Sequence, residues 1–216
     1  MPAYTEFVLT ADESALIAAA TDAAGVVDWG NAFLVPVRSR IRELHLEIQN
    51  NSCCYCRKSL VAEFKMVIDV EHILPKKVFN SLTFAAVNLS VSCKKCNLFT
   101  KRNRWGFVGG ASMAVAEERV LDSSLYEIIH PNLDFYKDHL PHRAIEIDDF
   151  RFRKFLRRRA TNKGLFTYSF FRLNDVEVGQ LDKMQGLIGE VDSVMGLILR
   201  EIEDGIYNEP LPRRMR

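Results

Sequence analysis

Cys53-Cys54-Tyr55-Cys56, then Asp69-Val70-Glu71-His72-Ile73-Leu74-Pro75-Lys76, then Cys93-Lys94-Lys95-Cys96-Asn97: the reading of this ordered stretch decides the fold. Each C-x-x-C pair has the bite of two thiolates on one Zn²⁺, and Cys53, Cys56, Cys93 and Cys96 together make a complete tetrahedral set. A closed four-cysteine site is structural rather than catalytic. Cys56 and Cys93 lie 37 positions apart, well beyond the ~15–20 residues of an ordinary zinc ribbon. The insert therefore carries something of its own, and what it carries is a Glu-His dyad ahead of a proline turn. Cys54 is spare, a small packed residue, because pairing it with Cys56 gives the wrong bite. The competing reading of the cysteines is redox, with each pair oxidising separately.

Working outward, Phe64 to Ile73 alternates apolar residues at Phe64, Met66, Ile68 and Val70, which predicts a strand ending at Glu71 and His72. Val87 to Ser92 reads as a second short strand, and Lys94 to about Arg102 as a helix with Cys96 and Asn97 in its first turns. Upstream, Thr10-x-x-Glu13 is a capping box that opens an Ala-rich helix through about Ala20. Pro36 opens another helix to about Gln49, with Val37, Ile41, Leu44 and Ile48 at helical spacing. His45 lies beside that stripe as a packed or surface residue. Downstream, Ser112 to Leu121 reads as helix. Phe150 to Phe155 and Leu165 to Leu173 look strand-like, with Asn162-Lys163-Gly164 as a turn. Val176 to about Glu203 has the spacing of a long amphipathic helix.

The bulk properties set limits. The chain has 216 residues, 48% of them hydrophobic and 26% charged, values ordinary for a water-soluble globular protein with a real core. Five cysteines, four of them in pairs, favour a reduced compartment and metal binding over a disulfide framework. No basic n-region precedes an apolar stretch at the N-terminus and no apolar run approaches a membrane span, so the expected setting is cytoplasmic, without membrane contact. The net charge of +1 hides an uneven distribution. Lys94, Lys95, Lys101, Arg102 and Arg104 cluster around the second cysteine pair, a second basic run spans Arg151 to Lys163, and the tail is acidic. Basic patches beside an acidic element suit a polyanion on one face; solvated surface is the plain alternative.

Hydrolysis of a phosphodiester needs a base to activate water and a hard cation to neutralise phosphate charge. His72 supplies a base whose ordinary pKa lies near working pH. Glu71 offers carboxylate oxygens and Asn97 a carbonyl oxygen for Mg²⁺ or Mn²⁺. A lone Glu-His pair is usually structural, but its placement between two zinc pairs argues for chemistry.

Cys53-x-Tyr55-Cys56, Glu71-His72-x-x-Pro75-Lys76, Asn88-Leu89 and Cys93-x-x-Cys96-Asn97-x-x-x-Lys101 resemble the signature of HNH endonucleases with zinc-binding pairs. The separations of 16 from His72 to Asn88 and 9 from Asn88 to Asn97 fit that motif. The resemblance covers about Cys53 to Arg104 and implies a ββα-metal core. It makes His72 the general base, Glu71 and Asn97 the metal ligands, and Asn88 the asparagine that fixes the loop and orients His72. The chain departs from the pattern in having Glu where Asp is commoner and Asn97 where His is frequent; Asn103 is a second choice for the Asn97 role. The resemblance further implies in-line attack by water that leaves 5′-phosphate and 3′-hydroxyl ends. Lys76, Lys77, Lys94, Lys95, Lys101, Arg102 and Arg104 are placed to hold DNA phosphates rather than to read bases, so binding should be salt-sensitive and weakly sequence-specific.

His130-Pro131-x-x-Asp134-x-Tyr136-x-x-His139 and Phe171-Arg172-Leu173-Asn174 are similar to HNH proteins encoded beside ATPases in bacterial antiphage systems, the Septu nuclease subunits and retron-associated relatives. That likeness implies an ATPase partner. His130, His139 and His142 are candidates for a second metal site or for local hydrogen bonding. The expected fold is α+β: an N-terminal helical arm (1–50), a zinc-stapled ββα nuclease (51–108) and a mainly helical C-terminal extension (109–216). The expected function is metal-dependent endonuclease on DNA, plausible in phage defence. Its competitors are a zinc-stabilised nucleic-acid-binding or adaptor module without catalysis, and a nuclease acting on RNA.

Overall fold

A computed structural model describes residues 8–147 and 150–179. It mixes short helices with two small antiparallel sheets, an α+β architecture. The described residues divide into two compact units, 8–141 with 157–176, and 142–147 and 150–156 with 177–179.

In the first unit, helix α1 (Ala11–Ala19) begins where the capping box predicts. Thr10 Oγ1 accepts from the Glu13 amide at 3.2 Å, and Glu13 Oε2 accepts from the Thr10 amide at 2.9 Å. Glu13 also ion-pairs with Arg40 of helix α2 (Val35–Ile48), joining the two helices. Pro36 in the first turn of α2 costs no hydrogen bond, because amides there have no intrahelical partner. Val37 and Ile41 are fully buried and Leu44 packs beside them, but Ile48 is 41% exposed. His45 points inward in its place.

Strand β1 (Ile68–His72) pairs antiparallel with β2 (Leu89–Cys93), with Glu71 opposite Ser90 and His72 opposite Leu89. The expected strand begins four residues late: Lys65–Val67 is a 3₁₀ turn, and Phe64 and Met66 are 81% and 78% exposed. The alternation there has no partner strand to answer it. Leu34, Val37, Ile41, Ala86 and Leu89 form the core between α2 and the hairpin, with Trp29 and Val70 at its margin. Gln49, at the end of α2, closes the free edge of β2. Its amide donates to the carbonyls of Ser52 and Val91, and its oxygen accepts from the Val91 amide and Ser90 Oγ. A covered edge cannot template a further strand.

The segment after β2 is helical, but as a π-helix over Lys95–Lys101. Its last turn closes with the Arg102 amide on the Asn97 carbonyl at 2.7 Å, five residues back, and Arg102 takes φ +55°. Such wide turns are rare and frequently found at functional sites. Helices α3 (Met113–Glu118) and α4 (Tyr136–His139) follow. The Leu165–Leu173 region is not a strand: residues Asn162–Phe170 form helix α5, with Thr161 as N-cap accepting from the Gly164 amide at 3.2 Å. A β-carbon on Gly164 would lie 2.0 Å from the His139 carbonyl oxygen, so only glycine lets α5 approach α4.

The second unit contains strands β3 (His142–Ile147), β4 (Phe150–Phe155) and β5 (Val178–Gly179) in one antiparallel sheet of that order. Glu177 accepts from the Phe155 amide at 3.0 Å and pairs with Lys154 at 3.4 Å. Beyond Gly179 the helix expected from Val176 to Glu203 lies outside the described residues. No described helix is long and apolar enough to cross a membrane.

Candidate functional site

The four cysteine sulfurs of Cys53, Cys56, Cys93 and Cys96 all lie within 4.8 Å of one another, and Cys56 and Cys93 are 3.8 Å apart. Four sulfurs at ~2.3 Å from one Zn²⁺ form a tetrahedron with edges of about 3.8 Å. A disulfide needs ~2.05 Å, and all five cysteines are free. The donor set therefore fits zinc. The Cys93 amide donates to Cys53 Sγ at 3.3 Å, and Arg57 at φ +57° turns the chain just after Cys56. Cys54 is buried, and burial together with the neighbouring Cys53 pushes its thiol well above the usual range, so it stays a protonated packed residue. Among the described residues this is the one group of three or more Cys, His, Asp or Glu side chains that could hold a metal ion.

Beside this staple a cavity of about 600 Å³ opens on β1 and the π-helix, lined among others by Trp29, Asp69, His72, Lys76, Lys77, Asn97, Arg102 and Asn103. His72 is 8% exposed. Its Nε2 lies 3.1 Å from the Thr83 carbonyl. A carbonyl only accepts, so Nε2 carries the proton and the lone pair sits on Nδ1. Burial first, then the nearby Lys76 cation, lower the pKa of this histidine to about 3, against the weaker opposing pull of the Thr83 carbonyl. His72 is thus neutral at neutral pH. Trp29 packs edge-on against the ring at 4.5 Å, fixing its plane.

Asn88 holds the loop that leaves β1. Its Oδ1 accepts from the Leu74 amide at 2.6 Å, and its Nδ2 donates to the Leu74 and Leu82 carbonyls. The Ile73 amide bonds the Asn88 carbonyl at 2.9 Å. The backbone on either side of His72 is thereby pinned to the start of β2.

Glu71 and Lys101 stand differently from the sequence expectation. Both are 1% exposed and paired at 2.7 Å. The Lys101 ammonium also donates to the His72 carbonyl at 2.8 Å, and the Tyr55 hydroxyl donates to Glu71 Oε1 at 3.1 Å. Burial raises the Glu71 carboxyl, with Lys101 the largest opposing influence. Lys101, expected to hold phosphate, is therefore spent on a buried carboxylate and a backbone carbonyl. Glu71, expected to hold metal, keeps only Oε2 without a partner. The carboxylate that shares the cavity with His72 is Asp69, whose Oδ2 accepts from Asn97 Nδ2 at 3.1 Å. That bond turns the Asn97 amide so that its oxygen is left as an acceptor. Asp69 and Asn97 thus offer two hard oxygen donors, a set that suits Mg²⁺ or Mn²⁺ rather than a soft ion. Period-two alternation places Asp69 and Glu71 on one face of β1. That was the signal by which Asp69 could have been found.

Of the expected phosphate-holding residues, Lys76, Lys77, Arg102 and the buried, Glu71-paired Lys101 line the cavity. Lys94 and Lys95 do not, and Lys95 reaches the Asp175 carbonyl at 3.4 Å. Arg104 bonds the Thr100 carbonyl and lies over the Phe170 ring at 4.4 Å.

The stretch from His130 to His139 is a brace. Asn132 Nδ2 donates to the Val87 and Leu89 carbonyls, and the Tyr136 hydroxyl to the Tyr55 carbonyl at 2.8 Å. Asp134 accepts from the His130 amide at 2.7 Å and pairs with Lys163 at 2.8 Å. His130 is fully buried, its Nδ1 accepting from the Asn132 amide, and His139 Nδ1 meets Thr161 Oγ1 at 2.9 Å. Local hydrogen bonding engages Nδ1 of each histidine, while His130 Nε2 is buried without a partner.

No family profile matches the chain, and no solved structure matches it. The chain is 33% identical to the Septu protein PtuB of Bacillus thuringiensis over 112 residues, which make up 52% of this chain and 34% of that relative. The chain thus spans about a third of the length of the curated relative it matches.

Proposed function

We propose that this protein is a metal-dependent endonuclease of the HNH type that hydrolyses DNA phosphodiester bonds as a component of a Septu-like antiphage system. The observation that carries the reading is His72: a neutral imidazole with its lone pair on Nδ1, in a cation-lined cavity beside two oxygen donors. A pure binding module would use the cations but needs neither the neutral imidazole nor the paired oxygen donors.

In this reading the Thr83 carbonyl and Trp29 hold the imidazole, and His72 Nδ1 takes the proton of the attacking water. Asp69 and Asn97 would hold Mg²⁺ or Mn²⁺, which when bound would supply charge neutralisation on the phosphate and the leaving oxygen. Glu71, through Lys101, fixes the backbone carbonyl of His72 and so positions the base. Lys76, Lys77 and Arg102 hold the phosphate. Attack is in line, leaving 5′-phosphate and 3′-hydroxyl ends. The zinc staple fixes the start of the π-helix, and with it Asn97, against β1.

The similarity to a Septu protein supports the defence setting, and with it an ATPase partner encoded nearby. The experiment is incubation of zinc-loaded protein with supercoiled plasmid in Mg²⁺ or Mn²⁺. Nicks that DNA ligase reseals are expected, because sealing requires a 5′-phosphate next to a 3′-hydroxyl. Binding without any nicking, with the genomic ATPase neighbour added as well as without it, would replace the nuclease with the non-catalytic module.

A further inference from the structure

The cavity has a wall that the nuclease motif does not supply. Arg38 and Arg42 stand one turn apart on α2, outside the segment between the cysteine pairs, and both line the cavity that holds His72. Arg38 donates through Nη1 to the carbonyls of Trp29 and Asn31. Those acceptors are neutral, so the guanidinium keeps its charge and is held in place. Arg42 has no hydrogen bond or ion pair among the described residues, and its Nε is buried without a partner. A buried donor left unpaired is costly to the fold, and a charged one more so, so its retention here points to a partner outside the chain.

The charge around this wall is one-sided. Arg38, Arg42, Lys76, Lys77 and Arg102 face the cavity without a carboxylate partner among the described residues, against the single carboxylate of Asp69. The Lys76 ammonium is lowered from its usual range by burial and then by Lys77, so these cations already repel one another. An anion entering here relieves that repulsion. A planar guanidinium with five donors matches a phosphate better than an ammonium does.

We propose that α2 is part of the substrate cleft, with Arg42, and Arg38 one turn before it, binding the phosphodiester backbone of the nucleic acid next to the bond that His72 attacks. This rests on the nuclease reading for the place of the scissile bond, but not for the binding itself. In structural terms, what reads as an N-terminal arm is the second jaw of the site.

The test measures binding of a labelled DNA duplex, and of an RNA duplex of the same sequence, by zinc-loaded His72→Ala protein without added divalent metal across a KCl series. Arg42→Gln in that background is the first variant, because Arg42 holds nothing in the fold. Arg38→Lys is the second, and Arg119→Ala, which removes an exposed pair with Asp122, is the control. In Arg42→Gln, losing one phosphate contact should weaken binding about tenfold and reduce the slope of log K against log [salt] by about 0.9 on duplex DNA; Arg38→Lys, which keeps its charge, should weaken binding while keeping the slope, with the control unchanged. If the parent binds with a steep slope and Arg42→Gln keeps both affinity and slope, this proposal is overturned and the nuclease reading stands. If the parent binds neither duplex, both fall. If the variants lose affinity as expected but wild-type protein never nicks DNA, the cleft stands without the nuclease. A loss seen with RNA alone would overturn DNA as the polymer while keeping the α2 contact.

Discussion

Two buried charges lie directly behind His72. Lys101 and Glu71 form an ion pair at 2.7 Å with almost no solvent contact, and the lysine also holds the His72 carbonyl. Removing one partner of such a pair leaves an uncompensated charge, at a cost of about 3–5 kcal/mol. Lys101→Met is expected to lose that much in urea unfolding, and Glu71→Gln added to it to recover part of the loss. A loss under about 1 kcal/mol for Lys101→Met would mean that the pair is not buried in solution. His45 gives a separate residue-scale prediction. Burial lowers its pKa from 6.5 to about 4, so its stabilising contribution is present above pH 6.5 and is lost as pH falls toward 4. At pH 5 the unfolded histidine is protonated and the folded one is not, a penalty of about 2 kcal/mol. His45→Leu should therefore gain about that much in urea unfolding at pH 5 relative to its effect at pH 7.5. The zinc ligands are common to both proteins and cancel in the difference. Equal effects at the two pH values would place His45 in contact with water.

Local signals carried the elements as far as they were local. The capping box of α1, the proline start of α2 and the two short strands could be read from Thr10, Glu13, Pro36 and the alternation through Val70, because each depends on neighbours in sequence. Leu165–Leu173 misled because Phe166, Tyr168 and Phe170 alternate as in a strand, with aromatic residues that strands favour. The deciding facts are the Thr161 cap and the fit of Gly164 against His139, and the second is tertiary. Gly164→Ala forces a β-carbon to 2.0 Å from a backbone oxygen, so α5 must move. The expected thermal midpoint is lower by roughly 6 °C or more, on the basis of about 3 kcal/mol for a backbone clash in a domain of this size. An unchanged midpoint would mean that α5 is not seated on α4. In the site, resemblance to a known motif, with fitting separations, brought His72, Asn88 and Asn97 together. It could not tell which carboxylate of β1 meets the cavity, because Asp69 and Glu71 share a strand face and only the seating of the π-helix separates them. Arg38 and Arg42 were missed for the same reason: nothing in the sequence of α2 says that its polar flank turns toward a hairpin more than twenty residues later.

For the molecule as a whole, the short hairpin and the π-helix are too small to hold their geometry alone, and the sulfur cluster joins them. One zinc per chain is expected from metal analysis. Stripping it with a chelator should lower the thermal midpoint by more than about 10 °C, since binding energy at such sites is folding energy. A chain that keeps its midpoint when metal-free would have redox cysteines instead. In the function proposed above, the staple, the pinned loop, the neutral imidazole and the oxygen donors beside it all serve one end, a base delivered to a phosphodiester. That claim is tested most directly by comparing wild-type and His72→Ala proteins, both zinc-loaded, on supercoiled plasmid with Mg²⁺ or Mn²⁺. Nicking that falls at least a hundredfold in His72→Ala, with zinc content and thermal midpoint retained, is the expected result. Equal nicking by the two proteins would contradict the account.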